Sequence, residues 1–270
     1  IDEINSLSID PEFQISIIIV NDASNHDRSN EQKTLENLHS VKILNMKINQ
    51  GHARCIATGL KFIYEKEDFD YVIPMDGDGE DRPEELTLLV EKIKEFPNTV
   101  ITANRVKRSE GFMFKFCYEV HKYLTLVFTG QTIKYGNYTC LHKSAVNKMV
   151  NEPATWSSFS GSLAKVAKVR KSIPSIRDKR YFGVSKMSFI NLLKHSFSII
   201  AVFKTILLIR SVLFLIAYLF LVIGKISIIT LIPFIGVIVI MISLISLSKI
   251  ENMLYFKNSL DNIESIIKTK

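Results

Sequence analysis

Cysteine is scarce in this chain: Cys55, Cys117 and Cys140 are three widely spaced residues. An odd, scattered set excludes a disulfide framework and carries no metal signature. These residues read as reduced core thiols in a domain facing the cytosol. Histidine is also sparse, with six residues and none in a zinc-binding spacing. The opening, IDEINSL, has neither Met nor a signal peptide, and Ile1, Ile4 and Leu7 have the spacing of a helix tail. The expectation is a fragment of a longer protein. Nothing suggests a nucleic-acid partner. What the chain does have is an uneven distribution of apolar residues. Their overall share of 47% is ordinary, and 270 residues suit one large domain or two small ones. From Ile199 to Ile250, however, the chain is mostly Ile, Leu, Val and Phe.

The first two thirds alternate strand and helix signals. FQISIIIV (Phe13–Val20), VKILNM (Val41–Met46), DYVIPM (Asp70–Met75) and NTVITANR (Asn98–Arg105) read as buried strands. Helices are expected after Gly51 and from Pro83, and YGNYTCLH (Tyr135–His142) reads as a further strand. The pattern predicts an α/β fold with a doubly wound, mostly parallel sheet. NDASNHD, MDGDGED and ANRVKR all fall at carboxyl ends of strands, where such sheets bind ligands. A basic region, Lys165–Lys186, follows and suits either anionic lipid and phosphate or a solvated face.

Thr205–Ile223 and Ile226–Ser248 each approach the roughly 20 residues that span a bilayer. They predict a tight transmembrane hairpin, with Lys204, Arg210 and Lys249 on the cytoplasmic side and Arg210 snorkelling. A helix pair buried in a soluble core is the alternative. The expected organisation is a catalytic domain over 1–186, an interfacial helix over 187–204, the hairpin over 205–248 and a cytosolic tail over 249–270. The spacing of Leu260, Ile263 and Ile266 suggests a surface helix in that tail.

A chain with net charge +7 nevertheless places Asp76, Asp78, Glu80, Asp81 and Glu84 within nine positions. Crowded carboxylates raise one another's pKa, and a site that keeps them is suited to a cation. Asp76 and Asp78 are two apart and point the same way in extended chain, so both can reach one ion, with Mg²⁺ or Mn²⁺ favoured by hard oxygen ligands. The other explanation is helix capping, which suits Asp81 and Glu84 at the start of the helix near Pro83.

NDAS, NQGHARCIATGL, MDGDGEDRPEEL, ANRVKRSEG and RYFGVSKMSF, in that order, resemble the inverting family 2 glycosyltransferases of the GT-A fold. The nearest type is the dolichol-phosphate mannose synthase and bactoprenol glucosyltransferase group. The resemblance covers about residues 13–200. It implies a nucleotide-diphospho-sugar donor, with Asp22 at the base and Asn49, Gly51 and Arg54 lining the pocket. It implies that Asp76 and Asp78 bind metal and diphosphate and that Glu80 completes the metal shell. Arg105 and Arg108 stand where the family places cations near the phosphates. Arg180, Ser185 and Lys186, in R-x-x-G-x-S-K, match the clamp on donor diphosphate or lipid phosphate. Two departures stand out: Asn21 replaces the more usual Asp, and the family's opening strand has no counterpart.

The implied reaction is a single inverting displacement at the anomeric carbon. No sharp general base is evident; Asp81 and Glu110 are candidates. Together with the basic clamp and the hairpin, this points to a polyprenyl-phosphate acceptor, which needs no base. Another lipid or a saccharide is the alternative acceptor, and an inactive membrane-tethered nucleotide-sugar-binding protein the alternative class. The sugar and the choice of UDP or GDP donor are not legible. Trp156 either lines the acceptor path or is a core aromatic.

Overall fold

The computed structural model describes residues 1–24, 35–107, 112–181, 189–248 and 253–270. Its helices are α1 (Asp2–Asn5), α2 (His52–Lys66), α3 (Glu85–Glu95), α4 (Phe112–Thr129), α5 (Lys143–Val150), α6 (Phe159–Val166), α7 (Phe189–Ala201), α8 (Lys204–Val222), α9 (Ile228–Ser248) and α10 (Met253–Lys257). Its strands are β1 (Ile15–Asn21), β2 (Leu38–Met46), β3 (Tyr71–Val72), β4 (Val100–Lys107), β5 (Tyr135–His142), β6 (Arg170–Ile176) and β7 (Ile263–Lys268).

The α/β class is as expected, but the strands form two mixed sheets rather than one mostly parallel sheet. Their orders are β1-β2-β7 and β3-β5-β4-β6. The β1–β2 and β4–β6 pairs are parallel, whereas β2–β7, β3–β5 and β4–β5 are antiparallel. β1 and β3 each end a sheet, and no described strand joins them. The strand expected over 70–75 shrinks to Tyr71–Val72. Pro74 has no N–H to donate to a ladder, so the chain runs on towards Asp76 as irregular backbone.

β6 lies inside the basic region and buries Ile173 and Ser175, while Arg170 lies over the Tyr135 ring and the exposed Lys171 over the Phe96 ring. Its Pro174 is tolerated because β6 is an edge strand. The C-terminal segment is not one surface helix. After the short α10 it becomes β7 and pairs antiparallel with β2, from Met46↔Ile263 to Lys42↔Lys268. The open edge of β2 offers backbone partners that an isolated helix cannot match.

Two apolar clusters stabilise the sheets. Leu60, Leu141, Val146, Met149 and Leu163 join α2, β5, α5 and α6. Leu89, Ile93, Ile101, Tyr138 and Ile173 join α3 to β4, β5 and β6. A third cluster crosses to the hydrophobic helices: Ala154 and Ala164 meet Val202 and Phe203 just before α8. Ile200 and Ala201 of α7, Leu207 of α8 and Leu244 of α9 form a fourth with Leu124 and Phe128 of α4.

α8 and α9 are long and apolar enough to cross a membrane. Only 11% and 6% of their most apolar windows are buried, which sets aside a buried soluble pair. The Tyr218 hydroxyl donates to Thr230 O at 2.8 Å across the pair. Arg210 does more than snorkel: its Nη1 donates to Leu126 O (3.2 Å) and Val127 O (2.8 Å), satisfying carbonyls in the last turn of α4. Arg210→Leu is therefore expected to increase amide exchange in the last turn of α4 and leave α2 protected, measured by hydrogen–deuterium exchange in detergent.

Candidate active site

The site begins where β1 ends. The Asp22 carboxylate accepts hydrogen bonds from Gln50 N (2.7 Å) and Gly51 N (2.8 Å), and Asn49 Nδ2 donates to Asp22 O at 3.0 Å. Asp22 thus shapes the loop that precedes α2. Asn21 donates through Nδ2 to Asn45 Oδ1 at 3.2 Å, tying β1 to β2. Gly51 has φ +90°, a conformation that L side chains rarely adopt, and it caps the N-terminus of α2. Cys55, on the first turn of α2, is pushed up to about 12 by burial and then by Asp22. It is no nucleophile.

The first turn of α2 carries a residue that sequence reading missed. His52 Nε2 lies 3.3 Å from Asp76 Oδ1 and 2.6 Å from Asn137 Nδ2 of β5. His52 stands inside the NQGHARCIATGL segment but was not singled out there, and Asn137 lies on a strand with no motif, brought here by the register of β5. Arg54 turns to the side, with its guanidinium 5.5 Å from the centroid of the Trp156 ring. Trp156 is a core aromatic, 3% exposed.

Asp76, Asp78 and Glu80 each present a carboxylate oxygen, all within 4.8 Å of one another. Three oxygen donors at this separation fit one hard divalent cation. Opposite charge comes from the segment after β6. Arg180 reaches Asp78 Oδ2 through Nη2 (3.2 Å) and Glu80 Oε1 through Nε (3.2 Å). Arg177, which the basic region contained but no motif singled out, pairs with Glu80 Oε2. The two backbones are laced together: Asp178 N donates to Glu80 O (3.0 Å) and Tyr181 N to Asp78 O (2.9 Å). Gly79 makes this approach possible, since a Cβ there would lie 2.6 Å from the Tyr181 ring. Arg105 of β4 rests against Gly136, close enough for its charge to act on Asp81. Arg108, Ser185, Lys186 and Glu110 lie outside the described residues.

Asp81 does not cap α3. Its Oδ2 accepts from Asp76 N at 3.0 Å, bracing the loop that carries the cluster. It is 6% exposed, and burial followed by the Asp76 charge pushes its carboxyl up to about 7. Glu84 flanks α3 at its N-cap position but makes no side-chain capping bond.

The raised pKa has a stability consequence. Ionising Asp81 costs little in the unfolded chain above about pH 4 but disfavours the fold, so its destabilising effect grows with pH and is complete above about 7. In chelator-treated protein, Asp81→Asn is expected to raise the thermal midpoint most at pH 8 and least near pH 4. Thermal melts across that range provide the check.

Two comparisons bear on this geometry. Residues 4–159, more than half the chain, match the model for glycosyl transferase family 2. The undecaprenyl-phosphate 4-deoxy-4-formamido-L-arabinose transferase of Klebsiella pneumoniae (strain 342) is 28% identical over 200 residues, 71% of this chain and 58% of that protein. The chain thus spans less than two thirds of that relative's length. The carboxylate cluster beside a mixed sheet and the matched residues agree: this chain belongs to glycosyl transferase family 2.

Proposed function

We propose that this chain is a membrane-bound glycosyltransferase that moves a sugar from a nucleotide-diphospho-sugar to a polyprenyl phosphate. The observation that carries the reading is the Asp76–Asp78–Glu80 cluster faced by Arg177 and Arg180, in a unit whose core continues into two apolar helices. The relative named for an undecaprenyl-phosphate substrate supports the choice of acceptor. The 1–186 unit is read as cytoplasmic and catalytic, α7 as interfacial, α8 and α9 as the hairpin, and 249–270 as cytosolic.

Asp76, Asp78 and Glu80 would hold Mg²⁺ or Mn²⁺. When bound, the ion neutralises charge that develops on the departing diphosphate. The chain's own residues do the rest. The loop fixed by Asp22 carries Asn49 and Gly51, and with Arg54 it receives the nucleotide. Arg105 and Arg180, with Arg108 and Lys186, supply positive charge to donor diphosphate and acceptor phosphate, and Ser185 supplies a hydroxyl. The acceptor phosphate oxygen attacks the anomeric carbon. The bond to the diphosphate oxygen breaks, its electron pair leaves with the nucleoside diphosphate, and the anomeric centre inverts. A phosphate monoester is already mostly ionised near neutral pH, so no general base is required.

In nanodiscs containing undecaprenyl or dolichyl phosphate, radiolabel from a UDP- or GDP-sugar panel is expected in the lipid phase, and EDTA should abolish it. Asp78→Asn should lower turnover on the order of 10²-fold or more while membrane association persists. Transfer to a saccharide alone would overturn the lipid-phosphate reading. Full activity of Asp78→Asn would remove the metal assignment.

A further inference from the structure

The Asp76 carboxylate is held differently from its two neighbours in the cluster. Asp78 and Glu80 meet Arg177 and Arg180. Asp76, whose side chain is 15% exposed, meets no arginine at ion-pair distance among the described residues. Its Oδ1 has two other neighbours. His52 Nε2 lies 3.3 Å away, and Asn137 Nδ2 donates to the same oxygen at 3.5 Å. The two nitrogens are 2.6 Å apart, so the imidazole and the amide bracket that oxygen together. Each comes from an element fixed independently of the cluster. His52 is the first residue of α2, and the two amides before it, Gln50 N and Gly51 N, donate to Asp22. Asn137 sits on β5 next to Tyr138, which is 2% exposed and whose hydroxyl donates to Arg82 O at 2.8 Å. Asp76 N donates to Asp81, so the backbone is braced from one side while the side chain is met from the other.

Groups that hydrogen-bond a metal-ligating carboxylate fix its orientation, and their loss typically lowers metal affinity by about 10- to 100-fold. We infer that His52 and Asn137 are positioning residues for Asp76, fixing its carboxylate in the orientation that lets it join Asp78 and Glu80 around one cation. This rests on the proposed cation site. Among the described residues, only the three carboxylates offer donor atoms that all lie within 4.8 Å of one another, so His52 stands behind the site rather than in it. The Asn137 amide carries no charge and orients Asp76 without neutralising it, whereas an arginine in its place would compete with the cation. Gly51 and His52 are covalent neighbours, so the loop braced by Asp22 is tied directly to the residue that aims a cation ligand.

The test uses the whole chain in a neutral detergent without nucleotide, titrated with Mn²⁺, with the free ion read from its electron paramagnetic resonance signal. The His52 side chain is 58% exposed, so its replacement leaves the core intact. His52→Ala is expected to raise the Mn²⁺ Kd by about 10-fold or more. Asn137→Ala removes the other partner of the same oxygen and should weaken binding in the same direction. His52→Gln places an amide nitrogen at a similar reach and is expected to return the Kd to within about 3-fold of the parent. A residue that merely supported the fold would lower the thermal midpoint of chelator-treated protein and leave the Mn²⁺ Kd alone. Unchanged Mn²⁺ affinity in either alanine variant, or His52→Gln as weak as His52→Ala, would overturn the inference. Failure of the site beneath it reads differently: a parent protein without saturable Mn²⁺ binding, or Asp78→Asn binding Mn²⁺ as the parent does, would remove the cation site itself.

Discussion

Mutual repulsion among Asp76, Asp78, Glu80 and Asp81 is the constraint around which this molecule is organised. Four carboxyl groups in six residues do not stay close without compensation. Three kinds are present. Arg177 and Arg180 supply charge from the end of β6. Backbone N–H groups of Asp76 and Glu80 donate to Asp81 and Asp78. Asp81 resists ionising. Each requires a particular piece of fold: β6 beside β4, an irregular chain after Pro74, and a glycine at 79 that admits the Tyr181 ring. The cluster is thereby held together, with Arg177 and Arg180 alongside it.

The apolar helices are not appended to this unit at a flexible joint. Ala154 and Ala164 of the α/β unit pack on Val202 and Phe203, and Arg210 reaches back from α8 to the carbonyls of α4. Separate apolar clusters follow one another from the α/β unit (Ala154, Ala164 with Val202, Phe203) to α7, Leu207 and Leu244. Under the proposed function, the charged cluster needs a set height above the bilayer. A shared core supplies that more firmly than a linker can.

Much of the fold was legible because strong local signals agreed with tertiary context. The Ile-rich run of β1, the helical spacing of Ile56, Leu60 and Ile63 in α2, and the two apolar runs each announce one structure. β6 was hidden because Arg170, Lys171 and Pro174 mask an alternation of only two buried residues on an edge strand. β7 was misread because Leu260, Ile263 and Ile266 have helical spacing, while the partner that makes the segment a strand, β2, lies more than 200 residues away. In the site, Asp76, Asp78, Glu80 and Arg180 were visible as motif residues. His52 sat in a motif without being singled out, and Asn137 and Arg177 were in none, because their placement depends on strand register and on a loop laid along another loop. Asp22 was found, but the sequence does not reveal that two backbone N–H groups already engage its carboxylate.

The return of the chain from α9 to β7 makes the pair of apolar helices an insertion between strands of one sheet. The outer edge of β2 has no described partner other than β7. That pairing joins residues more than 200 positions apart, so synthesis supplies it only after both apolar helices. Completion of the β1-β2-β7 sheet is thus ordered in time after the two apolar helices, and a chain still lacking its C-terminal segment carries an unfinished sheet.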